Sequence, residues 1–81
     1  MNALPVTVSL HRLSPGQTGI VHTLSAADPL RRRLQDLGFI PGTRVECVLR
    51  SPLGDPAAYL VRGAVIALRR EDAHGVTVRW A

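Results

Sequence analysis

Apolar and polar positions in this chain alternate in short blocks, and the blocks are separated by proline and glycine. The breaks fall at Pro15-Gly16, Gly38, Pro41-Gly42, residues 52–56 and Gly63. Short segments rich in Val, Ile, Leu and aromatic residues between turn signals predict a small β-barrel. Strands are expected over residues 18–24, 43–50, 57–62, 65–68 and 76–80. Two of them alternate with period two, as half-buried strands do. Val45, Cys47 and Leu49 fall on one expected inward face, and Val76, Val78 and Trp80 on another, with Thr77 and Arg79 opposite. Residues 7–13 fit either a strand or a helical turn, and a helical turn is expected near Arg70 to Ala73.

One segment, residues 29–37, changes to helical spacing, with Leu30, Leu34 and Leu37 forming an apolar stripe. Asp28 is placed as the N-cap, Pro29 as the first helical residue and Gly38 as the left-handed residue just past the end. A Schellman ending would then fold Phe39 back onto Leu34. So short a helix does not persist alone and needs the barrel to hold it. Pro15-Gly16 and Pro41-Gly42 each fit the centre of a type II turn leading into a strand, and Gly63 marks another turn. The expected fold is therefore mainly β: an SH3-like barrel of about five strands in one domain, residues 1–81, with one inserted helix.

Length and charge limit the function. No apolar run is long enough to span a bilayer, and no positively charged leader precedes an apolar stretch, so a cytoplasmic location is expected. The chain carries 10 basic and 6 acidic residues, net +4, and every basic residue is arginine. That excess suits a polyanion, but counterion release needs charge concentrated on one face, and here it is scattered. Arg31, Arg32 and Arg33 illustrate this, because a helix turns about 100° per residue and sends them in three directions. Asp28, Arg32 and Asp36 are spaced by four, and Asp36 lies three after Arg33, so local ion pairs on a solvated face are the plain expectation. Positive charge in a first turn nevertheless opposes the helix dipole, which points to a second use as a partner surface.

Other chemistry has little support. His11, His22, His74 and Cys47 show no metal-ligand spacing, and Cys47 reads as a small core residue. No nucleophile, base and oxyanion donor are suggested as a set, and there is no lysine to complete a P-loop. Gly16-Gln-Thr-Gly19 matches GxxG but sits at a turn rather than between helices. Of three aromatics, Phe39 and Trp80 are expected in the core, leaving Tyr59 as a lone stacking surface, too little for a single-strand binder. Residues 51–56, bracketed by prolines, form a stiff loop whose Gly54, Asp55 and Pro56 could present a preordered contact.

The ordered motifs bring these pieces together. Leu13-x-x-Gly16-x-x-Gly19, Leu30-Arg-Arg-Arg-Leu-x-x-Leu-Gly38, Pro41-Gly-Thr43, Pro52-Leu-Gly-Asp-Pro56, Arg62-Gly63 and Ala67-Leu-Arg-Arg-x-x-Ala73 resemble the FeoA family in their sequence order. The resemblance covers about residues 8–80. It implies an SH3-like barrel acting as a non-enzymatic accessory to FeoB, the membrane Fe(II) permease with a cytoplasmic GTPase domain. It implies contact with FeoB's cytoplasmic part, attachment to the membrane only through FeoB, and no cofactor, resident metal or nucleic-acid ligand. The same module resembles the C-terminal domain of metal-dependent repressors, but this chain has no room for a DNA-reading helix-turn-helix. Arg31, Arg32, Arg33, Gly54, Asp55 and Pro56 are the expected contact residues. Asp28, Gly16, Gly38, Pro41, Gly42 and Gly63 are expected to shape turns and caps. A small-barrel nucleic-acid binder and a metal-binding oligomer remain the alternatives.

Overall fold

A computed structural model of the chain describes residues 6–81. Strand β1 (Thr7–Ser9) runs into a 3-10 turn (Leu10–Arg12), followed by β2 (Thr18–Leu24) and helix α1 (Asp28–Leu37). Then come β3 (Arg44–Arg50), β4 (Ala57–Val61), β5 (Ala64–Leu68), the short helix α2 (Arg70–Ala73) and β6 (Val76–Trp80). The six strands form one antiparallel sheet in the order β1-β6-β2-β3-β4-β5. The mainly β architecture agrees with the periodicity, with one more strand than expected. The extra strand, β1, is only three residues long, too short to show a period, and forms because β6 has a free edge where Val8 pairs with Val78. Residues 7–13 thus contain both of their alternatives, a strand and then a helical turn. Among the described residues, no helix is long and apolar enough to cross a membrane.

One core of apolar side chains joins the sheet to α1. Val21, Val45, Cys47, Tyr59, Val61, Val76 and Val78 come from the strands, and Leu10, Leu13, Leu34 and Phe39 come from the 3-10 turn, its following loop and the end of α1. The helix ends as a Schellman motif: Gly38 has φ +111°, its N–H bonds to the Gln35 carbonyl at 3.0 Å, and the Phe39 N–H bonds to Leu34 at 3.0 Å. Phe39 and Leu34 are both fully buried, so the turn that stops the helix also drives the one core phenylalanine inward. Leu30 and Leu37 pack against the edge of this core. The Pro15-Gly16 and Pro41-Gly42 turns close with Gln17 N–H to Ser14 at 2.9 Å and Thr43 N–H to Ile40 at 3.0 Å. β4 and β5 are joined by the two-residue turn Arg62-Gly63, both at positive φ (51° and 82°), as a type I′ hairpin requires.

Four local expectations are corrected. Asp28 is not the N-cap: Ala27 is, and Asp28 is the first residue of α1, which puts Pro29 second. The reason is competition, because the Asp28 carboxylate accepts from the Arg31 guanidinium at 2.7 Å rather than from a backbone amide. The expected pairs of Arg32 with Asp28 and Asp36, and of Arg33 with Asp36, do not form, and Asp28–Arg31 is the one ion pair among the described residues. Leu49 points outward, 62% exposed, because a bulge between Cys47 and Leu49 adds a residue to β3 and inverts the alternation beyond it. Tyr59 and Trp80 exchange roles. Tyr59 is 1% exposed on the inner face of β4, whereas Trp80, opposite Gly19 beyond the last core layer, is 43% exposed.

Candidate partner surface and histidine cleft

The three helix arginines are exposed, and only Arg31 is tied down, by Asp28. The 51–56 loop, by contrast, is held at several points. The Ser51 N–H and hydroxyl both donate to the Pro56 carbonyl, at 3.1 and 2.6 Å, and the Gly54 N–H donates to Ser51 at 2.7 Å. Asp55 accepts from the Arg70 N–H at 2.8 Å, which ties the loop to α2. Behind the loop, the half-buried guanidinium of Arg50 donates to the carbonyls of Gly54 at 3.3 Å, Leu13 at 2.6 Å, and His11. One forked cation thereby joins the end of β3, the loop and the segment after β1. At the tip of this braced loop Leu53 is 93% exposed. Sequence reasoning selected the loop but passed over its apolar tip, which an isolated leucine between Pro52 and Gly54 signals.

The outward inversion at Leu49 has a second consequence. Leu49, Ala58 and Ala67 lie side by side across β3, β4 and β5, and Leu60 and Val65 form the next row. Leu49 and Val65 are both largely exposed, so an apolar strip runs over the outer face of these strands. Arg44, Glu46, Leu60, Arg62 and Gly63 line a shallow hollow of about 370 Å³ further along it. The C-terminal end of α1 reaches this end of β4, since a Cβ on Gly38 would lie 2.8 Å from Cδ of Arg62. The 51–56 loop leaves from the other end of β4. The structure thus separates the end of the arginine helix from the loop by the length of that strand, about 17 Å for five residues at about 3.3 Å each.

The structure also brings together two histidines that lie 63 residues apart. His74 Nδ1 is 3.4 Å from His11 Nε2, with ring centroids 5.5 Å apart. Together with Asp55, Arg70 and Glu71 they line an open cleft of about 410 Å³. Partial burial, then the neighbouring His74, Arg70, Arg12 and Arg50, push the pKa of His11 below its usual value, which favours the neutral imidazole. No motif spacing links these residues; only the packing of α2 beside the 3-10 turn does. His22 is exposed on β2, away from this lining. Cys47 is fully buried, and burial raises its thiol pKa, as suits a packing residue. Among the described residues, no group of three or more His, Cys, Asp or Glu side chains converges as a metal site.

Comparison with known proteins gives consistent results. The FeoA domain model matches residues 8–79. Over 69 residues the chain is 30% identical to the Fe(2+) transport protein A/Fe(2+) transporter FeoB fusion protein of Porphyromonas gingivalis; the match takes in 85% of this chain and 8% of that far longer one. Among solved structures, the FeoA protein from Chlorobium tepidum superposes with a TM-score of 0.84 at 34% identity, covering 90% of this chain and 70% of that one. The zinc-complexed FeoA of Stenotrophomonas maltophilia gives a TM-score of 0.79 at 32% identity, covering 88% of both chains. That protein is described as a prokaryotic SH3 domain protein, and the six-stranded sheet with its inserted helix is accordingly an SH3-like fold.

Proposed function

Because this chain belongs to the FeoA domain family, we propose that it is an accessory protein of bacterial ferrous iron uptake that binds the cytoplasmic part of a FeoB permease through protein–protein contact. On this reading it is cytoplasmic, reaches the membrane only through FeoB, and acts as an adaptor rather than an enzyme. The observation that carries the proposal is the fused relative, in which transport protein A and the FeoB transporter share one polypeptide. Fusion holds two modules at high effective concentration, whereas a separate chain has to find its partner through a surface.

The geometry supports one such surface. Leu53 is an exposed apolar side chain on a loop already braced by Arg50 and by the Asp55–Arg70 contact, so little ordering entropy is lost when it docks. Gly54, Asp55 and Pro56 shape its presentation, and the outward Leu49 and Val65 extend the apolar area. Arg31, Arg32 and Arg33 supply a separate cationic contact whose main effects are on orientation and association rate.

The test is a titration of this protein into full-length FeoB from the same genome, held in nanodiscs. Saturable binding is expected. Leu53→Asp should weaken it by about tenfold or more, as loss of a central apolar anchor does. A triple Arg31, Arg32, Arg33→Glu variant should slow association and flatten its salt dependence. Absence of saturable binding would overturn the FeoB reading. Binding that ignores both variants would reject this surface.

A further inference from the structure

We propose that His11 and His74 form a two-imidazole clamp for a divalent first-row transition-metal ion, with His11 Nε2 and His74 Nδ1 as the ligand atoms. The primary observation is their separation of 3.4 Å. Nitrogen ligands at about 2.0–2.1 Å from a tetrahedral ion lie about 3.3–3.4 Å apart along the edge of the tetrahedron. Without an ion, the same contact is a long N–H···N hydrogen bond in which the donor depends on the tautomer. The spacing thus fits a shared ion, which would displace the shared proton.

Both rings stand on backbone that the core holds in place. His11 lies between the fully buried Leu10 and Leu13, and its own carbonyl accepts from Arg50. His74 follows the fully buried Ala73, and its N–H bonds to the Arg70 carbonyl at 2.8 Å. Ligand positions set by packing do not have to be ordered when the ion arrives. The carboxylates of Asp55 and Glu71 line the cleft and offset part of the positive field that Arg70, Arg12 and Arg50 set up at His11, which keeps the expected affinity modest.

Two ligands leave the remaining coordination positions to water or to an incoming donor. This predicts affinity well below that of a closed four-ligand site, with Cu²⁺ ahead of Zn²⁺ by the usual order of stability. The site does not depend on the FeoB reading, because it rests on distances within this chain.

The experiment is calorimetric titration of the full chain with Zn²⁺ alone at neutral pH, alongside NMR of the histidine ring nitrogens. One equivalent should bind, shifting the His11 and His74 resonances and leaving those of His22 in place. His11→Gln and His74→Gln should each lower affinity at least tenfold, and His22→Gln should not change it. His74 is exposed, so its variant keeps the test decisive if the His11 variant unfolds. No binding at millimolar Zn²⁺, or binding unchanged by His74→Gln, would overturn the proposal.

Discussion

Replacing Arg50 by methionine keeps a long apolar stem and removes the guanidinium that joins three carbonyls. Its Nη2 donates to Leu13 at 2.6 Å and to His11, and its Nη1 to Gly54 at 3.3 Å. A hydrogen bond from a charged donor contributes about 1.5–3 kcal/mol. The three share one head group and so are not additive, and their carbonyls lie close enough to the surface for water to replace part of the loss. The expected net cost is about 2–4 kcal/mol. A domain of 81 residues has only about 4–12 kcal/mol of stability in total. With a urea dependence of about 1–1.5 kcal/mol per molar for a protein this small, the midpoint should fall by about 1.3–4 M. Far-ultraviolet circular dichroism is the right probe, because the only tryptophan, Trp80, is too exposed to report on the core. Arg50→Lys should fall between the two, since an ammonium group cannot span the fork's three acceptors. A midpoint for Arg50→Met within about 0.3 M of the wild type would show that these bonds add nothing to stability beyond what solvent supplies.

Two further outcomes follow from the core and from the ending of the helix. Gly38→Ala should cost about 1–3 kcal/mol, since alanine resists the φ of +111° and its Cβ would crowd Arg62; a thermal melt unchanged from the wild type would contradict this. Burial, reinforced by Cys47, pushes the phenol of Tyr59 up to about 12, so its phenolate absorbance should appear only well above the ordinary value of about 10. The folded pKa is raised, so this contribution to stability is complete below about pH 10 and is lost as pH rises toward 12. Tyr59→Phe should therefore resist alkaline unfolding better than the wild type, relative to each protein's stability at neutral pH; equal alkaline sensitivity would refute the assignment.

Arg50 also shows where sequence reading stops. It looks like any other of the ten arginines, and attention goes instead to the conspicuous run at 31–33, which is largely solvated. Its importance comes from carbonyls 37 and 39 residues away. His11 and His74 are a sharper case, because each alone reads as a surface histidine and only the contact between two distant segments makes a cleft of them. Asp28 fails on a smaller scale: its cap position follows from preference, but in the folded chain its carboxylate pairs with the Arg31 guanidinium and Ala27 takes the cap position.

What the sequence determined by itself was the local backbone. The proline-glycine turns, the strand segments, the helix and its ending at Gly38 and Phe39 depend on dihedral preference and on side-chain period, which a few neighbouring residues set. The ordered turn motifs also carried the family resemblance. Which face each side chain occupies was decided only when strands met. A bulge in β3 turned Leu49 outward, Trp80, paired with Gly19, stayed beyond the core, and Tyr59 was buried on the inner face of β4 with Ala57 and Val61. Register and bulges are properties of a pair of strands, and a cleft is a property of several segments. Each is set by packing between residues far apart in the chain, which no local pattern contains.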